Sequence, residues 1–148
     1  MINSIKVNFK KLSPEAFEPK YGTAFSAGAD LYACTDLSMS LVPGETKTVP
    51  TGIAVEIPEG FVGLVFARSG LATKKGLAPA NKVGVIDSDY RGEILVALHN
   101  HSSMPVEVQP GDRIAQLVIV PYYTATFTEK EELTESVRGA GGFGSTGK

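Results

Sequence analysis

Short apolar runs cut by proline–glycine turns constrain this chain more than any other feature. From Thr51 to Ile57 strict alternation puts Ile53, Val55 and Ile57 on one face, the period of a half-buried strand. Phe61 to Phe66 and Ile94 to Leu98 are nearly continuous apolar runs, as expected of strands covered on both faces. Arg113 to Val120 continues with Ile114, Leu117, Val118, Ile119 and Val120. Between these runs stand Pro43-Gly44, Pro50-Thr51-Gly52, Pro58-Glu59-Gly60 and Pro110-Gly111. Turn signals at such spacing predict an all-β, antiparallel sandwich or barrel. The best helix candidate is a short one, Ser69 to Lys75, and Glu129 to Glu135 reads as a solvated acidic connection.

Composition narrows the function classes. The 148 residues suffice for one domain with a proper core, and 43% hydrophobic with 20% charged residues is the balance of a folded chain. A formal charge of −2 argues against a general nucleic-acid binder, so an anionic ligand would need local arginines and backbone amides. A single cysteine, Cys34, cannot pair within the chain and fits a reducing compartment. The opening MINSIKVNFKKL lacks the apolar core of a signal peptide, and no stretch approaches the roughly 18 apolar residues of a membrane span. The expectation is a cytoplasmic protein with no membrane partner, and Asn100-His101-Ser102 is then an ordinary loop despite matching the glycosylation sequon.

Four stretches could carry chemistry. Arg138 to Lys148 holds four glycines between Gly139 and Gly144, and it superficially fits both G-x-G-x-x-G and part of a P-loop. Both motifs need a strand before and a helix after, and no helix is expected to follow Lys148. What survives is a mobile arm, residues 138–148 after a domain of residues 1–137, with amides and side chains able to wrap a phosphate chain. Ala67-Arg68-Ser69-Gly70 sets an arginine, a hydroxyl and a glycine amide in succession at a strand end: an anion site or an ordinary surface turn. Asn81 to Glu93 reads as a hairpin with Asp87 where a strand opens into a polar turn, either a general base or a turn-forming aspartate. Gln116 is one amide in an apolar run, so it needs a structural partner or a ligand.

The order of these stretches resembles the homotrimeric dUTPase (deoxyuridine 5′-triphosphate nucleotidohydrolase) family. Its five motifs stand here as Ala27 to Ala33, Ala67 to Ala72, Gly84 to Ile94, Gly111 to Leu117 and Arg138 to Gly147. The resemblance implies a jelly-roll-like β-sandwich or barrel with a short helix and a flexible C-terminal arm. It implies Mg²⁺-assisted hydrolysis of dUTP to dUMP and pyrophosphate, in a homotrimer with active sites at subunit interfaces. Asp87 matches the residue that activates water for attack on the α-phosphorus. Asn81, the backbone of Gly84, Val85 and Ile86 to Asp87, and Leu95 match the uracil pocket, and Tyr90 the ring under deoxyribose. Arg68, Ser69, Gly70 and Gln116 match phosphate contacts. Asp30 matches an acid that reaches magnesium through water, the metal being held mainly by substrate phosphates. In the arm, Arg138, Gly144 and Ser145 match substrate contacts and Phe143 a ring stacking on uracil. Lys82 has no role in this scheme. Two rivals are a dCTP deaminase of similar fold and a catalytically silent nucleotide-binding module; the complete arm and intact Asp87 speak against them.

Overall fold

The computed structural model describes residues 4–142. In chain order the body runs β1 (Asn8–Lys11), β2 (Lys20–Tyr21), β3 (Ala29–Tyr32), β4 (Met39–Leu41), β5 (Thr46–Glu56) and β6 (Phe61–Phe66). Then come α1 (Ser69–Lys75), β7 (Leu77–Pro79), β8 (Gly84–Ile86), β9 (Glu93–Asn100), β10 (Val106–Val108) and β11 (Arg113–Pro121). The strands form a four-stranded sheet ordered β1-β5-β9-β7, a five-stranded sheet ordered β2-β3-β11-β6-β8, and the small pair β10-β4. Neighbours are antiparallel throughout, a jelly-roll-like arrangement.

The core draws on both large sheets: Ile53, Val55, Ile94, Val96 and Leu98 from one, Leu31, Val65, Ile114 and Leu117 from the other. Strict alternation in β5 places Ile53 and Val55 inward as expected, and β5 is longer than its apolar run because Thr46 to Pro50 also pair with β9. The helix spans Ser69–Lys75 as expected; Gly76, at φ 71° with its N–H bonded to the Leu71 carbonyl, ends it. The sequon is structural. Asn100 is fully buried, donates to the carbonyls of Leu41 and Met104, and accepts from the Ser102 amide and hydroxyl.

Two expectations change. β8 and β9 are not a hydrogen-bonded hairpin: β8 pairs with β6 and β9 with β5 and β7, so the turn between them crosses from one sheet to the other. Nor are β6 and β9 covered on both faces. Leu95 on β9 is 53% exposed, and the outer faces of β6 and β11 carry the half-buried cross-strand pairs Leu64–Val118 and Val62–Val120. The last strand among the described residues, β11, ends at Pro121. No helix or strand occurs over residues 122–142, where Tyr123 and Phe127 are 100% and 95% exposed.

Candidate active site

One half of the site is built on the middle of the five-stranded sheet. There Asp30, Gln116 and Phe66 lie in one row across β3, β11 and β6. Arg68, just past the end of β6, donates from Nε to Asp30 Oδ1 at 2.7 Å. Arg113 donates from Nη1 to Asp30 Oδ2 at 3.3 Å. In a regular strand residues 113 and 116 would face opposite ways. A register slip between Arg113 and Ala115 inserts one extra residue in β11 and lets the arginine reach the aspartate. Asp30 is 9% exposed, and a carboxylate so placed needs this pairing.

Gln116 donates from Nε2 to the Ala67 carbonyl at 2.8 Å, which gives the amide in the apolar run its structural partner. Gly28 lies so close to it that a Cβ would stand 3.0 Å from the Gln116 amide carbon. Glycine at that point lets β3 pass the amide. Ser69 and Gly70 are exposed in the first turn of α1, whose leading amides have no partner within a helix.

The other half is the turn after β8. Asp87 is exposed, and its backbone carbonyl, not its side chain, closes the turn by accepting from the Tyr90 amide at 3.1 Å. Arg91 donates from Nη1 to the carbonyls of Ser88 and Tyr90 at 2.6 and 3.0 Å, which braces the turn from behind. The Tyr90 ring lies over Gly92: a Cβ there would meet Cζ at 2.6 Å. Its hydroxyl donates to the Glu93 carbonyl at 2.8 Å. Before β8, the Asn81 amide nitrogen lies 3.4 Å from where a Gly84 Cβ would stand, so side chain and bare backbone are in contact. Lys82, between them, has φ 66°, and the Val83 N–H bonds back to the Asn81 carbonyl at 2.8 Å. This is a γ-turn, a strained geometry for a side-chain-bearing residue. Val85 and Leu95 are exposed apolar residues beside the turn in sequence.

Asp87 and Arg68 sit at opposite ends of β6. Ile86 pairs with Gly63, so Asp87 continues toward Val62, while Arg68 follows Phe66. Six residues of strand at about 3.4 Å each separate them by roughly 20 Å. One chain therefore assembles Asp30, Arg68 and Gln116 at one end of β6 and carries Asp87, with Tyr90 after it, toward the other; β8 runs between, with Gly84 beside Val65, Val85 beside Leu64 and Ile86 beside Gly63, and Asn81 touching Gly84. Arg138 is exposed and donates to the Gly141 carbonyl at 2.7 Å, a local contact joined to neither half; Phe143, Gly144 and Ser145 lie outside the described residues. Arg113 and Glu93 lie within the motifs but had no role in the sequence reading. Arg113 was visible only as a charge at the head of an apolar strand.

Among the described residues, no three histidine, cysteine or acidic side chains are grouped to hold a metal. Both Asp30 oxygens already accept from guanidinium groups. Such a donor set fits a cation that arrives on phosphate oxygens and keeps its water, as Mg²⁺ does, and does not fit an all-protein cage.

Fold and geometry together define a jelly-roll-like β protein in which arginine, amide and carboxylate side chains cluster at a strand end. The dUTPase family model matches residues 15–147. The chain is 52% identical over 151 residues to the deoxyuridine 5′-triphosphate nucleotidohydrolase of Desulfitobacterium hafniense, covering 99% of each. It is 46% identical over 149 residues to the enzyme of that name from Acinetobacter baumannii, covering 97% of this chain and 99% of that one. A mutant dUTPase of Staphylococcus bacteriophage 80alpha, solved with dUpNHpp, superposes with a TM-score of 0.87 at 30% identity, covering 98% of this chain and 100% of that one. A dUTPase from phage phi11 of S. aureus, solved to show coordination of a structural Mg(II) ion, superposes with a TM-score of 0.80 at 27% identity, covering 88% and 100%. This chain belongs to the dUTPase family.

Proposed function

We propose that this protein hydrolyses dUTP to dUMP and pyrophosphate, which keeps uracil out of DNA and supplies dUMP for thymidylate synthesis. The observation that carries the mechanism is Asp87: an exposed carboxylate on a turn whose shape is held by backbone and Arg91 contacts. Among the described residues nothing hydrogen-bonds to its carboxylate oxygens, which leaves them for a water. Asp87 orients that water and takes its proton as oxygen attacks the α-phosphorus; the bond to the bridging oxygen breaks and pyrophosphate leaves. Arg68, the amides of Ser69 and Gly70, and Gln116 meet the phosphate oxygens and offset the charge that develops there. Asp30 is the residue that would hold Mg²⁺, through water, and the ion would supply further positive charge against the phosphate oxygens.

Asn81, the Gly84 to Ile86 backbone and Leu95 form the uracil pocket in this reading, and Tyr90 the platform for deoxyribose. Residues 138–148 act as the closing arm: Arg138 and Ser145 on the phosphates, Phe143 on the base, and Gly144 against the substrate. The chain has no tryptophan, so Phe143→Trp gives a clean probe. Its emission is expected to change with a non-hydrolysable dUTP analogue and Mg²⁺, and much less with dUMP.

We further propose a homotrimer in which the Asp87 turn of one subunit meets the Arg68 cluster of another. Groups about 20 Å apart cannot act on one phosphate chain, and the outer Leu64–Val118 and Val62–Val120 pairs offer an apolar face to share. The compartment is the cytoplasm, in keeping with the single cysteine and the nucleotide substrate. Steady-state release of pyrophosphate from dUTP tests the activity; ammonia release instead would mean a deaminase, and binding without turnover a silent module. Inactive Asp87→Asn and Arg68→Ala chains refolded together should regain part of the activity, and an active monomer by light scattering would contradict the shared site.

A further inference from the structure

Glu93 begins β9 at a place where the sheet is irregular. β5 and β9 pair at Pro50–Leu95 and resume at Ala54–Glu93, so β5 carries extra residues between these points. The backbone groups this releases find side-chain partners. The Thr51 hydroxyl donates to the Ile94 carbonyl at 2.7 Å, and the Gly52 N–H donates to Glu93 Oε1 at 2.7 Å. Gly52 has φ 66°, and a Cβ there would stand 2.7 Å from the Ala16 Cβ and 2.8 Å from Cys34 Sγ, so the bulge cannot relax toward the core. The same Glu93 accepts the Tyr90 hydroxyl on its own carbonyl at 2.8 Å. One residue thus ties a rigid bulge, through its carboxylate, to the aromatic ring, through its backbone.

We propose that Glu93 is a positioning residue that sets the height of the Tyr90 ring above Gly92, and through it the rejection of a 2′-hydroxyl. This rests on the reading of Tyr90 as the deoxyribose platform. Without the carboxylate, Gly52 loses the acceptor of its amide and the start of β9 loses its anchor. The Glu93 carbonyl then shifts and the ring shifts with it. Because the ring touches no core residue through this bond, the cost falls on discrimination between sugars more than on folding. Reach is what matters: glutamine keeps an acceptor oxygen at the same distance, while aspartate is one methylene short.

The test is the ratio of kcat/KM for dUTP to that for UTP in the full-length protein. Glu93→Ala and Glu93→Asp should each lower the ratio about tenfold or more, and Glu93→Gln should stay within about threefold of the parent. Gly92→Ala, which pushes the ring from below, should lower it as well. A purely structural Glu93 would depress both substrates equally and leave the ratio unchanged; that result in the folded Glu93→Asp protein overturns the proposal even if Glu93→Ala fails to fold. Tyr90→Ala separates the two layers. A relaxed ratio there with an intact one in Glu93→Asp sinks the Glu93 role alone, whereas an unchanged ratio in Tyr90→Ala removes the platform reading and this inference with it.

Discussion

The two halves of the site hold their carboxylates in opposite ways. Asp30 is nearly buried, with both oxygens engaged by Arg68 and Arg113. Asp87 is exposed, and the turn that carries it is closed by its backbone and braced by Arg91. A carboxylate that orders two arginines contributes through its neighbours, and removing it disturbs geometry. A carboxylate left free beside a rigid turn is available for proton transfer, and removing it disturbs only chemistry. The contrast predicts that stability and activity respond differently at the two positions.

The largest effect is expected at Asp87. Asp87→Asn keeps size and reach but removes the base, so turnover should fall by roughly 10²–10⁴-fold while the melting temperature and analogue binding stay close to the parent. A variant with near-parent turnover would assign the water to another group. Next is removal of residues 138–148: folding and assembly should persist, since the core residues among those described all precede Arg138, while turnover should drop sharply if these residues close the site against water. Full activity of the truncated protein would end the arm proposal.

Asp30→Ala should lower both quantities. With Asp30 gone, Arg68 loses its anchor inside the site, and stability should fall by about 1–3 kcal/mol in denaturant titrations, together with a loss of turnover. A change in turnover alone would erase the contrast with Asp87. The smallest effect belongs to Arg113→Ala. Its side chain is 53% exposed and its contact is the longer of the two, so the stability loss should stay within about 1 kcal/mol. A loss as large as that of Asp30→Ala would mean that Arg113, and not Arg68, is the principal partner of the aspartate.

Much of this was legible from residues alone. Alternation located the inward face of β5, the apolar runs located β6, β9 and β11, and the short helix was placed at Ser69 to Lys75. Those features are local: side-chain period and turn chemistry act over a few residues. The Asp87 turn was visible for the same reason, because a polar run between apolar ones must reach the surface. What could not be read was which strands pair. Turn residues of one segment look alike whether the chain folds back in the same sheet or crosses to the other, so β8 and β9 resembled a hairpin.

The sequence by itself determined the strand periods, the turns, the types of side chain at each end of β6 and the order of motifs that marks the family. Only the tertiary structure decided that Arg113 reaches Asp30 across 83 positions, that Glu93 holds the Gly52 amide across 41, and that Asp87 and Arg68 lie at opposite ends of one strand. Each of these depends on a one- or two-residue slip in register or on the choice of neighbour. Such slips are set by the summed packing of two sheets, and no single segment of the chain encodes that sum.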